Sequence, residues 1–274
     1  MVKAAALSDQ PTSALWYCHP LSVTQKRPEP RKPADPATQS PPLIIWLHGW
    51  GQSGASLLPL ARLFAAEAEN RVYDLPGFGK TPMLQSGAGS DDYAKVLYQQ
   101  LDHNRPVILV GHSFGARIAV RFAARYPDHI AGLILIAGAG LKRPRSLPFR
   151  LRALGLKQLG RLARRIDGLV GSHFEDRYKA RFGSADYRAA GALRPTLLSV
   201  VNEDLSPQAA RILAPCLLLY GALDDATPPS MGQHYQKLIR GADFHCLDGF
   251  GHLDILSRGA FQCQQRIAHF LERL

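Results

Sequence analysis

Four stretches of the chain are apolar at nearly every position: Leu43–Leu47 (LIIWL), Val107–Val110 (VILV), Gly132–Ile136 (GLILI) and Cys216–Tyr220 (CLLLY). Successive side chains of a strand point to opposite faces, so an unbroken apolar run marks a strand buried on both sides. Shorter runs at Arg71–Asp74 and Phe244–Leu247, and the segment Ala14–Leu21, read as further strands. Between the runs the period changes from continuous to helical. Ser56–Ala68 places Leu57, Leu60, Ala61, Phe64 and Ala65 on one helical face. Asp91–Leu101, Phe114–Tyr126 and Phe261–Leu271 follow the same pattern.

Buried strands alternating with amphipathic helices predict an α/β fold, a mostly parallel sheet flanked by helices. In such folds ligands sit beyond the carboxyl ends of the strands. The residues that follow each apolar run are therefore where chemistry is sought. The alternation stops between Leu141 and Ala210, where helical patterns succeed one another without a strand. There Leu151, Leu154, Leu162, Ile166 and Leu169 share a face. This predicts an inserted helical lid over residues 141–210, with the core formed by 43–140 and 211–274. Residues 1–42 hold the first strand and a linker, in which Pro28, Pro30, Pro33, Pro36, Pro41 and Pro42 favour an extended chain.

Length and composition narrow the function. A chain of 274 residues can bury a substantial core, and 46% hydrophobic with 20% charged residues is unlike a disordered chain. No apolar run reaches eighteen residues, so no transmembrane helix is expected. The N-terminal apolar run, Ala4–Leu7, is too short for a secretory signal, which makes the cytoplasm the expected location. Cys18, Cys216, Cys246 and Cys263 form no C-x-x-C pair and suggest neither a zinc site nor a disulfide framework. They read as buried or unreactive thiols. No metal site or cofactor signature is visible.

The net charge is +11. It is concentrated: residues 141–195 carry fourteen Lys and Arg against four acids, while the rest of the chain has nineteen bases and eighteen acids. The expected partner of that basic segment is an acidic carrier protein or an anionic membrane surface, beside the reading of a merely solvated face. Nucleic acid is not expected, because no recognition motif accompanies the charge.

The segment after Val107–Val110 is Gly111-His112-Ser113-Phe114-Gly115, followed at once by a helical pattern. A G-x-S-x-G between strand and helix presents a serine on a strained turn, with small residues two positions either side, beside a helix N-terminus. Ser113 is the candidate nucleophile. After Leu43–Leu47 comes His48-Gly49-Trp50-Gly51. An oxyanion needs two preorganised N–H donors. Phe114, next after the nucleophile, and Trp50 are the candidates, and His48 reads as a brace for the loop. After Cys216–Tyr220 comes Gly221-Ala222-Leu223-Asp224-Asp225-Ala226-Thr227-Pro228, and after Phe244–Leu247 comes Gly249-Phe250-Gly251-His252. His252 stands in a glycine-bounded loop at a strand's carboxyl end, unlike the other nine histidines, and is the candidate base. Asp224 is preferred to Asp225 as the carboxylate that orients it. Asp248 and Asp254 read as surface or supporting groups.

Together these residues resemble the α/β-hydrolase superfamily over about Leu43–Leu274. A further landmark is Asp74-Leu75-Pro76-Gly77-Phe78-Gly79-Lys80-Thr81, a structural turn in that superfamily. Ala116 stands where many members have a second glycine. The resemblance implies a Ser113–His252–Asp224 triad and a cofactor-free enzyme acting on a small-molecule acyl substrate. The HGWG loop is similar to that of esterases that demethylate pimeloyl esters on acyl carrier protein. Serine at the elbow argues against the dehalogenases and epoxide hydrolases of the superfamily, which carry aspartate there. The expected function is a serine hydrolase of carboxylic esters or thioesters. Alternatives are a carbon–carbon bond hydrolase, an acyltransferase, or a non-catalytic binding protein on the same fold.

Overall fold

The apolar runs become the middle of one sheet. The computed structural model describes residues 16–21, 41–142 and 185–274. Within them lie β1 (Cys18–His19), β2 (Leu43–Leu47), β3 (Glu69–Tyr73), β4 (Val107–His112), β5 (Ile130–Ile136), β6 (Cys216–Gly221) and β7 (Asp243–Leu247). Their order across the sheet is β1-β3-β2-β4-β5-β6-β7. Only β1 runs antiparallel, pairing Cys18 with Tyr73. Alternate residues of β2 enter different cores: Leu43, Ile45 and Leu47 pack on one face, Ile44 and Trp46 on the other.

Among the described residues the helices are α1 (Leu58–Ala61), α2 (Ser90–Gln100), α3 (Phe114–Arg125), α4 (Ala185–Ala189), α5 (Arg194–Asn202), α6 (Ser206–Ala209), α7 (Pro229–Leu238) and α8 (Ala260–Leu271). The helix expected over Ser56–Ala68 is a correction. It is divided into a 3-10 turn at Gly54–Ser56, α1, and a second 3-10 turn at Arg62–Phe64. The Asn70 side-chain amide donates to the carbonyls of Phe64 (3.2 Å) and Ala68 (2.9 Å), and so draws the chain out of the helix towards β3.

Residues 143–184, most of the expected lid, and 22–40, most of the expected linker, lie outside the described residues. Between β5 and β6 the described residues 185–209 form α4, α5, α6 and a 3-10 turn. Among the described residues, no helix is long and apolar enough to cross a membrane. Cys216 and Cys263 are buried, whereas Cys18 and Cys246 lie at the surface.

The strand order reverses beside β2: the chain steps from β2 outward to β3, then returns to β4 on the other side. Such a switch opens a crevice at the carboxyl ends of the two strands. His48–Gly51 follows β2 and Ser113 follows β4, so these segments border that crevice.

Candidate active site

Ser113 has φ 51° and ψ −104°, a backbone conformation that non-glycine residues rarely adopt. Its neighbours leave room for the turn. A Cβ on Gly111 would lie 2.6 Å from the backbone of Ala116, and one on Gly115 would lie 2.1 Å from the Leu47 carbonyl oxygen. The glycines are thus required by close approach of backbone to backbone. The Gly115 N–H donates to the His48 carbonyl at 3.0 Å, which fastens the start of α3 to the loop after β2.

His252 Nε2 lies 2.9 Å from Ser113 Oγ, and His252 Nδ1 lies 2.7 Å from Asp224 Oδ2. The carboxylate only accepts, so the ring proton sits on Nδ1 and Nε2 faces the serine hydroxyl as an acceptor. Asp224 is 2% exposed, whereas Asp225 is at the surface. Burial by itself would raise the Asp224 pKa. Hydrogen bonds from His252, the Thr227 N–H and the Thr227 hydroxyl outweigh it and hold the carboxyl below its ordinary value. Asp254 Oδ1 accepts the Gly251 N–H at 2.5 Å and braces the loop that carries His252, while Asp248 is exposed.

Thr227 is absent from the sequence-based set, yet it touches both partners of His252's hydrogen bond to Asp224. Its N–H donates to Asp224 Oδ1 at 2.8 Å. Its Oγ1 lies 2.7 Å from Asp224 Oδ2, 2.9 Å from the Ala137 carbonyl and 3.1 Å from His252 Nδ1. The available signal was Asp-x-x-Thr-Pro, in which an aspartate accepts from the backbone three residues on and closes a turn.

Trp50 and Phe114 meet edge to face, with ring centroids 5.3 Å apart, and Phe78 packs against both at 5.0 and 6.1 Å. Phe114 opens α3, so its N–H has no acceptor within the helix. Neither its amide nor that of Trp50 donates to another described residue. Gly51, at φ 71°, makes the turn that follows Trp50. His48 braces this loop. Its Nδ1 donates to the Gly49 carbonyl at 2.7 Å and its Nε2 accepts the Leu75 N–H at 2.9 Å. Burial lowers its pKa to about 4, which keeps the ring neutral. Asp74 is likewise committed to structure: Oδ1 accepts from Gly54 N–H and His19 Nε2, and Oδ2 accepts from Lys80 N–H.

The apolar strand framework, the serine at its elbow and the histidine beside it define the class. The model of the alpha/beta hydrolase family matches residues 44–261, and the chain belongs to that family. It is similar to the pimeloyl-[acyl-carrier protein] methyl ester esterase of Chromobacterium violaceum, at 28% identity over 79% of this chain and 89% of the relative. The enzyme of that name from a Shewanella species is 29% identical over 76% of this chain and 83% of its own. Among solved structures, the enol-lactonase of Burkholderia xenovorans superposes with a TM-score of 0.63 at 20% identity, covering 85% of this chain and 92% of the other. This likeness carries the fold. The chain is an α/β-hydrolase enzyme, which sets aside the non-catalytic alternative.

Proposed function

We propose that the protein is a serine hydrolase that cleaves carboxylic esters or thioesters through an acyl-enzyme on Ser113. The observation that carries this reading is His252 within hydrogen-bond distance of both Ser113 Oγ and Asp224. Ser113 Oγ attacks the acyl carbonyl carbon while His252 Nε2 takes the hydroxyl proton. The oxyanion so formed receives the N–H groups of Trp50 and Phe114. As the carbon–oxygen or carbon–sulfur bond breaks, His252 returns its proton to the leaving alcohol or thiol. Water then attacks the acyl-serine, again losing its proton to His252, and the acid departs with Ser113 restored. Asp224 holds the Nδ1–H tautomer and balances the imidazolium.

Replacing Ser113 with Ala is expected to reduce hydrolysis of a short-chain p-nitrophenyl ester to background and to abolish labelling by a fluorophosphonate probe. Unchanged turnover in Ser113→Ala would overturn the assignment. For the substrate, the named relatives favour an acyl chain presented on a carrier protein. The excess of ten positive charges in residues 141–195, within the proposed lid of residues 141–210, is the complement an acidic carrier needs. Hydrolysis of a carrier-bound methyl ester is expected to lose kcat/KM steeply between low salt and ~0.5 M salt. The p-nitrophenyl ester is expected to show no such loss, and equal salt responses would remove the carrier from the proposal.

A further inference from the structure

A strained backbone persists only where its surroundings hold it. Both backbone polar groups of Ser113 are held by the chain leaving β5. The Ser113 N–H donates to the Ile136 carbonyl at 3.1 Å, and the Ser113 carbonyl accepts the Ala139 N–H at 3.3 Å. Between those two contacts lies Ala137, at φ 47°. Among the described residues, Ala137 and Ser113 are the two non-glycine residues at positive φ. The Ala137 N–H turns aside to the Leu219 carbonyl at 2.7 Å. The peptides on either side of this turn, 136–137 and 138–139, therefore meet the same serine.

The Gly138–Ala139 peptide is gripped from its other side as well. Its N–H is the group that reaches Ser113, and its carbonyl accepts the Tyr220 hydroxyl at 2.8 Å. The phenol has one proton to give, and this carbonyl is its one acceptor among the described residues. A peptide that accepts at its oxygen donates more strongly at its nitrogen. Tyr220, near the end of β6, is fully buried and closely seated. A Cβ on Gly232 of α7 would lie 2.6 Å from its ring, and one on Gly138 would lie 2.9 Å from its hydroxyl oxygen. Burial raises the Tyr220 pKa well above its ordinary value, so the hydroxyl stays a donor. Tyr235 of α7 treats the next carbonyl alike, its hydroxyl donating to the Ala139 oxygen at 2.9 Å. That oxygen belongs to the Ala139–Gly140 peptide, which makes no hydrogen bond to Ser113. Two buried tyrosines thus hold successive peptides, and one of those peptides touches the nucleophile.

We propose that Tyr220 is a positioning residue for the reaction at Ser113: its hydroxyl fixes the Gly138–Ala139 peptide, and that peptide holds the carbonyl of the strained serine, so that Oγ keeps its aim at His252. Without the hydroxyl, the buried Gly138 carbonyl has lost its donor, a costly state that the peptide relieves by rotating. Rotation draws the Ala139 N–H away from Ser113 and lets the elbow relax. The role rests on the serine-hydrolase reading.

The test compares Tyr220→Phe with Tyr235→Phe in the full chain. It uses thermal melting, steady-state kinetics on a p-nitrophenyl ester and the rate of Ser113 labelling by a fluorophosphonate. Each variant takes one buried hydroxyl from one carbonyl and keeps the ring, so both are expected to melt below the wild type by similar amounts. Where all are folded, Tyr220→Phe is expected to lower kcat and the labelling rate each about 10-fold with KM within about 3-fold, as a slightly displaced catalytic group does. Tyr235→Phe is expected to keep both rates within about 2-fold. Gly138→Ala crowds the Tyr220 hydroxyl off its carbonyl while leaving Tyr220 in place, and serves if Tyr220→Phe does not fold. It is expected to lower kcat by a similar factor. Wild-type kcat in Tyr220→Phe or Gly138→Ala, a loss confined to KM, or equal rate losses in the two tyrosine variants would each overturn the role of Tyr220. Ser113→Ala, measured alongside, separates the two readings. If it is inactive while Tyr220→Phe is unimpaired, only the role of Tyr220 fails. If Ser113→Ala is active, the serine-hydrolase reading fails first.

Discussion

Thr227 grips Asp224 from two directions, through its backbone N–H and its hydroxyl. The hydroxyl is one of the donors that keep the carboxyl ionised despite burial. Thr227→Val preserves shape and removes that donor, leaving Asp224 Oδ2 with His252 alone. We expect kcat to fall about 10-fold with KM unchanged and Thr227→Ser to recover it, a loss in the range of one hydrogen bond to a charged group. Asp224→Asn is expected to fall much further, about 10,000-fold, because an amide no longer dictates the His252 tautomer. Steady-state kinetics on one ester check both. The sequence exposed Ser113, His252 and Asp224 as candidates because each follows an apolar run in a glycine-marked loop. Thr227 left no comparable mark: its side chain acts across three segments, at Asp224, Ala137 and His252, that only folding brings together.

At the scale of elements, the site depends on α3 starting flush against the end of β2. The Leu47 carbonyl occupies the space a side chain at position 115 would need. Gly115→Ala must therefore push the first turn of α3 away from β2, carrying Ser113 and the Phe114 N–H with it. We expect activity to fall at least about 100-fold, as for a displacement on the order of 1 Å, together with a lower Tm by thermal melting. The same contrast governs what the hydrophobic pattern revealed. Central strands β2, β4, β5 and β6 are unmistakable because both of their faces are buried. Strand β3, second from the edge and covered by β1 only at Val72 and Tyr73, begins two residues earlier than its apolar run, at Glu69, since pairing with β2 rather than burial fixes its start. Helix α7 escapes notice because only Met231, Gly232 and Tyr235 are buried on it, and glycine adds nothing to an apolar stripe. The division of the Ser56–Ala68 segment turns on the Asn70 side chain, a contact outside any periodic rule.

For the whole molecule, the site imposes a dependence of stability on pH. His48 and His112 are both fully buried and neutral, with pKa values held down to about 4 and about 3 from an ordinary 6.5. In the unfolded chain both regain the ordinary value, so below pH 6.5 the unfolded state binds more protons than the folded one. Stability must then rise with pH across that window. The contribution is complete above pH 6.5 and is lost as pH falls towards 4 for His48 and 3 for His112. At pH 5 the loss is about 2 kcal/mol for each group, an order-of-magnitude figure from 1.36 kcal/mol per unit. Both together correspond to a Tm lower by about 10 °C than at pH 7 for a domain of this size. Asp224 adds loss in the same direction at lower pH, as its depressed carboxyl is forced to protonate. Thermal melts at constant ionic strength between pH 5 and 8 test this. The wild type should lose Tm steadily below about pH 6.5, and His112→Gln, which has one buried imidazole fewer, should lose about half as much. A Tm that stays level from pH 7 to pH 5 would show that neither ring is held neutral by the fold. It would thereby remove the neutral tautomer on which the brace at His48 depends, its Nδ1 donating to the Gly49 carbonyl and its Nε2 accepting the Leu75 N–H.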